Sequence, residues 1–144
     1  MNLFGMLDLS GSALTAERQR AEIATANMAN AETTKTEEGG PYVRQLALFR
    51  AIRNRGFGNA LHDAMAPYSR GVRVAAIVSD NTTPVRRYEP GHPDADSQGY
   101  VSFPAINPVE EMTDLMSAVR AYQMNIAAVQ SSKNMIQQSL DILR

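Results

Sequence analysis

Cysteine and tryptophan are both absent from this 144-residue chain. Without Cys there is no disulfide, no thiol nucleophile and no Cys-ligated metal site, and either redox compartment is compatible. Aromatics make up 6% of the residues within an apolar share of 44%. Ala and Met supply much of that share, and small or flexible side chains suit helix-on-helix contact better than one large core. No stretch approaches about 18 apolar residues, which excludes a membrane-spanning helix and direct membrane insertion. The N-terminus lacks a basic n-region, and Asp8 stands where a signal peptide would be apolar. The chain is therefore expected in the cytosol, unless a route without a cleaved signal exports it. A net charge of −1 gives no strong overall field for nucleic acid or an anionic membrane.

The charge is nevertheless unevenly placed. Residues 1–43 hold six acids and three bases, and residues 88–144 hold seven acids and three bases. Between them, residues 44–87 hold eight Arg against Asp63 and Asp80, a net of +6. Such a segment is either a solvated basic middle or a docking surface for an acidic neighbour.

What is abundant is helical patterning. Met112, Leu115, Val119, Tyr122, Ile126, Val129, Ile136, Leu140 and Leu143 fall at alternating steps of three and four, interrupted only by Lys133. This is the spacing of a helix buried along one seam against other helices. Over the last 36 residues such a helix would run about 54 Å, too long for the core of a compact domain of this size. With Met112 as a and Leu115 as d, the e positions are Met116, Gln123, Gln130, Gln137 and Arg144. The g positions include Glu111, Ala118, Asn125, Ser132 and Ser139. A free two-stranded coil usually carries charged e and g residues. Here they are mostly neutral, and residues 121–132 contain no charge. Contact with more than one neighbouring helix is expected. The helix start is locally specified: Asn107 is an N-cap, Pro108 fits the first helical position, and Glu110 has capping-box spacing. Glu110, Glu111 and Asp114 favour the positive helix end.

A weaker stripe runs along residues 3–31: Leu3, Leu7, Leu14, Ala21, Ala24, Met28 and Ala31, with Ser10 and Glu17 as polar interruptions. Gly5 and Gly11 each cost about 1 kcal/mol of helix stability, so the first ten residues are expected to fray or to order only on contact.

The middle differs in kind. Residues 32–41 have loop composition. Tyr42–Phe49, Val72–Val78 and Val85–Tyr88 are β-prone, with Asn81–Pro84 as a turn between the last two. Residues 54–70 look irregular, and residues 89–99, with two Pro and two Gly, cannot be regular. The expected fold is mostly α with a small β insertion. Residues 1–31 form an N-terminal axial helix, 32–106 a loop and short-strand middle, and 107–144 a C-terminal axial helix. The two helices are expected to pack as a coiled-coil-like pair.

Signals for chemistry are weak. Asp94-x-Asp96-x-Gln98-Gly99 imitates the start of a calcium loop, but Ala105 stands where the bidentate Glu should be. The alternative is a turn in which Asp side chains cap backbone N–H groups. His92 and His62, the only histidines, form no ligand set with suitable spacing. Arg55-Gly56-Phe57-Gly58 begins like an RNA-recognition strand and then fails at Asn59 and Ala60. No catalytic, cofactor-binding or metal-binding residue is assigned. The residues alone also admit a cytosolic coiled-coil adaptor that binds nucleic acid through its Arg-rich middle.

Several motifs together resemble the axial proteins of the bacterial flagellum. Ala26-Asn27-Met28-Ala29-Asn30-Ala31 resembles their shared Asn-x-Ala-Asn element, and Ser10-Gly11-Ser12-Ala13-Leu14 is similar to the start of a proximal-rod member. The runs Pro90–Val101, Asn107–Met112 and Ser117–Gln123 extend that likeness to proximal-rod proteins. It covers roughly residues 1–45 and 85–144. The resemblance implies a structural subunit without enzymatic activity, exported unfolded by flagellar type III secretion to a periplasmic rod. It implies terminal helices packed as concentric tubes around the export channel. The partners it implies are other copies of the chain, other rod subunits, basal-body ring or adaptor proteins and the export apparatus, with no nucleic acid and no cofactor. The assembly interface is expected at Leu7, Leu14, Asn27, Met28, Asn30, Met112, Leu115, Val119, Tyr122, Ile126, Val129, Ile136, Leu140 and Leu143.

Overall fold

A computed structural model describes residues 3–52 and 71–142. Its elements are α1 (Leu3–Ala29), β1 (Gln45–Ala51), β2 (Val72–Ser79), β3 (Val85–Tyr88), β4 (Tyr100–Phe103) and α2 (Pro108–Ile142). The chain is mostly α with a small β middle. The irregular reading of residues 54–70 lies outside the described residues.

Helix α2 starts where local chemistry places it. Asn107 Oδ1 accepts the Val109 N–H at 3.1 Å, and its Nδ2 donates to Glu110 Oε1 at 3.2 Å. The Asn107 carbonyl takes the first helical hydrogen bond, from Glu111 N–H. At the other end of α1, Asn30 terminates the helix: its backbone N–H and its Nδ2 both reach the Ala26 carbonyl, and the Thr33 N–H then bonds to the Asn30 carbonyl. Contrary to the fraying expected from Gly5 and Gly11, α1 is helical from Leu3. Tertiary contact outweighs the glycine propensities, with Ser10 buried near the start.

The β middle is two separate two-stranded ribbons, β1–β2 and β3–β4. Ile52 N–H bonds to the Gly71 carbonyl at one end of the first ribbon and Asp80 N–H to the Arg44 carbonyl at the other, so β1 and β2 are antiparallel. In the second, Val85 faces Phe103 and Tyr88 faces Tyr100. Asn81–Pro84 therefore links two ribbons and is not a hairpin turn between paired strands. Strand β4 went unread in the sequence: four residues between proline-bearing loops give little periodicity, and its partner β3 supplies the missing order. Strand β1 starts three residues later than its β-prone run, because Tyr42 N–H is taken by the Thr33 carbonyl instead.

The chain divides into two compact units. One comprises Met1–Gln19, Leu48–Ala76 and Ala118–Arg144; the other comprises Arg20–Ala47 and Ile77–Ser117. In the first, Ser12 Oγ donates to the Leu9 carbonyl at 2.7 Å and accepts the Val72 N–H at 3.1 Å. Gly71 permits this approach, since a Cβ there would collide with the Ser12 hydroxyl. In the second, Val101 and Phe103 of β4 turn inward while Tyr88 of β3 is exposed.

Candidate assembly site

The most enclosed polar cluster lies in the second unit and joins α1, β1 and α2. Asn27 is 1% exposed and Glu111 is 2% exposed. Asn27 Nδ2 donates to the Gln45 carbonyl at 2.8 Å and to Glu111 Oε2 at 2.9 Å. Its Oδ1 accepts the Gln45 N–H at 2.9 Å and the Tyr42 hydroxyl at 3.2 Å. Both donors and both acceptor positions of the carboxamide are thus used, as a buried amide requires.

Glu111 is a buried charge with matched partners. Its Oε1 receives Arg44 Nε at 2.6 Å and an Arg44 terminal nitrogen at 2.6 Å. Its position in the first turn of α2 adds the favourable helix dipole. Arg44 also lies 3.9 Å from Asp80, whose N–H holds the Arg44 carbonyl at 2.8 Å. Burial pushes the Tyr42 phenol up from 10.0, and the Glu111 carboxylate adds to the effect. A second ion pair, Arg20 to Asp114 at 2.8 Å, ties α1 to α2 within the same unit. The cluster holds three elements in register.

A second constellation involves β3, β4 and the loop between them. Asp96 Oδ1 accepts N–H bonds from Gln98 at 2.8 Å and Tyr100 at 2.9 Å, and Arg86 pairs with its other oxygen. The Tyr100 N–H foremost holds the Asp96 carboxyl below its ordinary 3.8. This is the Asp-capped turn that the sequence offered as the alternative to a calcium loop. Asp94 Oδ2 accepts the Thr34 hydroxyl at 2.7 Å, and Asp94 N–H bonds to His92 Nδ1. Among the described residues no three His, Cys, Asp or Glu side chains gather as a metal-holding group. Arg86 lies over the Tyr100 ring at 5.0 Å and Arg87 over Phe103 at 4.8 Å.

Within the single chain, the residues that α2 buries most deeply lie beside its a and d positions. The buried row is Glu111, Ala118 and Ser132, with half-buried Asn125 between the last two. These are the g positions. The d residues Leu115, Tyr122, Val129 and Ile136 are half-buried beside them. Of the a residues only Ile126 is half-buried, whereas Met112 is 56% and Leu140 62% exposed, and Val119 and Lys133 are exposed as well. Beyond Glu111 the side chains of this row are small, and Asn125 and Ser132 close on their own helix. Asn125 bonds to the Ala121 carbonyl and Ser132 to the Ala128 carbonyl, both at 2.9 Å. On α1, Leu7, Leu14, Met28 and Asn30 are half-buried, while Ser10, taken as an interruption of the stripe, is buried. Leu143 lies outside the described residues.

Sequence reasoning thus placed Asn27 at a special position and missed its partners. Glu111 was read as a helix-dipole acid and a flank residue, and Arg44 as one of eight middle arginines. No local signal pairs them, because they are 67 residues apart.

The chain is similar to known proteins along its whole length. Residues 7–35 match the family model Flagella basal body rod protein, and residues 97–142 match Flagellar basal body rod FlgEFG protein C-terminal. Flagellar basal-body rod protein FlgC of Borreliella burgdorferi is 39% identical, over 100% of this chain and 99% of that protein. The Bacillus subtilis protein of the same name is 34% identical over 99% of each chain. That of Escherichia coli O6:H1 is 34% identical over 99% of this chain and 98% of its own. With the Asn27 motif inside one matched segment, its partner Glu111 inside the other, and full-length identity above 30%, the chain belongs to the FlgC family of flagellar basal-body rod proteins.

Proposed function

We propose that the chain is a structural subunit of the flagellar basal-body rod and not an enzyme. The observation that carries this reading is the outward apolar row of α2, added to family membership. Val109, Met112, Met116 and Val119 are 71%, 56%, 47% and 41% exposed at helical spacing on one side. A continuous apolar stripe of this kind marks a surface that another protein covers. Its partners are other rod subunits. In the finer reading, the subunit belongs to the proximal rod, and its helices pack laterally with those of other copies around the export channel. Torque then passes through many small contacts. Ring or adaptor proteins and the export apparatus complete the partner set. Export proceeds through the flagellar type III apparatus without signal cleavage, to a periplasmic position in the basal body. Among the described residues no helix is long and apolar enough to cross a membrane.

The nucleic-acid adaptor finds no support in the family match. Three of its eight arginines, Arg44, Arg86 and Arg87, are engaged inside the second unit.

The test is expression in a flagellated cell that lacks its own counterpart. The chain should leave the cell interior only when the flagellar export apparatus is intact and should be recovered in purified basal bodies. Retention in the cytosol in both backgrounds would overturn the reading.

A further inference from the structure

The geometry points to a self-docking contact in which the exposed Arg-bearing β1–β2 ribbon of one copy seats on the acidic loops of a second copy. This inference rests on the rod-subunit reading and specifies one contact within it.

The acidic side is the second unit. Residues 20–47 and 77–117 contain eleven acids and five bases, a net of −6. Four of those bases are already engaged: Arg20 with Asp114, Arg44 with Glu111, Arg86 with Asp96, and Arg87 over Phe103. Glu32, Glu37, Glu38 and Glu89 are exposed and, among the described residues, have no cation within ion-pair distance. The Thr34–Asp94 hydrogen bond fastens the loop after α1 to the loop before β4, so these acids belong to two joined loops of one surface.

The basic side is the ribbon. Its described strands carry Arg50 and Arg73, both exposed, and no acid. Leu48, Phe49 and Ile52 are also exposed, at 49%, 42% and 38%. Among the described residues the ribbon has two strands, its ends held by Asn27 at Gln45 and by Ser12 at Val72, and a two-stranded ribbon is marginal without further cover. Its apolar and basic side chains therefore call for an acidic cover. The same chain supplies one, and because the two surfaces differ, the contact is head-to-tail and extends from copy to copy. Opposite net charges also raise the encounter rate and reject the reversed pairing.

The experiment uses the full chain in sedimentation velocity over a range of concentration and salt. Wild type should self-associate at low salt and dissociate as salt rises past the screening of exposed pairs. Glu37→Lys with Glu38→Lys, and separately Arg50→Glu with Arg73→Glu, should each weaken association by about tenfold or more. An equimolar mixture of the two variants should restore heterotypic association, since each then offers one intact and one reversed surface. Loss from misfolding would not be rescued by mixing. A wild-type chain that is monomeric throughout, association indifferent to salt, or a mixture that stays dissociated would overturn the proposal. Recovery in basal bodies separates the two readings. If wild type is recovered there but both variants self-associate like wild type, the rod reading stands and this contact falls. If the ribbon variant is lost from basal bodies with self-association unchanged, the ribbon docks on a different rod subunit and the proposal also falls.

Discussion

Asn27 pairs with Gln45 as one peptide group pairs with another across a sheet. Its Nδ2 donates to the Gln45 carbonyl at 2.8 Å while its Oδ1 accepts the Gln45 N–H at 2.9 Å. The side chain of a helix thereby acts as the neighbour of the first residue of β1. Replacing Asn27 with Ala strands that backbone pair and one Glu111 oxygen, at a cost of about 2–4 kcal/mol. Amide exchange at Gln45 should speed by more than about tenfold. Asn27→Asp should be worse at neutral pH, since a carboxylate cannot donate and would face Glu111. Unchanged Gln45 protection in Asn27→Ala would show that the pairing does not hold the strand.

The Arg44–Glu111 pair should behave as a coupled unit. Glu111→Leu alone removes the counter-charge of Arg44 and should cost about 3 kcal/mol. Arg44→Met alone leaves a 2%-exposed carboxylate with only Asn27 beside it, and should cost at least as much. The double variant should be less destabilised than the sum of the two, by more than about 1 kcal/mol in urea unfolding. Simple additivity would mean that the two charges do not sense one another.

Tyr42 gives an alkaline dependence. Burial first, and then the Glu111 charge, hold its phenol above 10.0, so the folded chain keeps that proton more tightly than the unfolded chain does. The stabilisation is complete below pH 10 and fades as pH rises through the folded value. Ultraviolet titration should show a tyrosine step above 10.0 that Tyr42→Phe removes. Glu111→Gln should lower that step without abolishing the elevation, because burial is the larger cause.

Gly99 should not tolerate a side chain. Its φ is +79, and an added Cβ would lie 2.9 Å from the Tyr88 ring and 3.1 Å from Pro90 Cβ. Gly99→Ala should cost about 1–2 kcal/mol from the left-handed backbone alone. The loss should be read at the Glu89 amide, which bonds to the Gly99 carbonyl.

The outward row of α2 separates folding from assembly. Met112→Lys and Val119→Lys fall on exposed positions, so each should change stability by less than about 0.5 kcal/mol. Recovery of the subunit in basal bodies should nevertheless fall sharply. Normal recovery of both variants would remove this row from the interface. Lys133→Leu, also on the exposed side, is expected to matter only if its ammonium meets a polar partner or the channel.

The start of α2 was legible because everything that specifies it is local. Asn107, Pro108 and Glu110 lie within four residues, and the capping bonds form between them. The turn at Asp96 was legible for the same reason: Asp side chains reach N–H groups two and four residues on. Strand β4 was not, since four residues carry too little periodicity without β3 opposite them.

By itself, then, the sequence determined two long helices, their caps, a loop-and-strand middle and the absence of thiol chemistry. It also raised the expectation that the uncharged flanks of α2 meet more than one neighbouring helix. Only the tertiary structure decided which surface faces inward. Neighbouring positions on a helix differ by about 100°, so Met112 and Glu111 compete for the same seam, and hydrophobicity alone favours Met112. Arg44 reverses that choice by reaching across 67 residues to neutralise Glu111. The acid is buried, and Met112 beside it is left exposed.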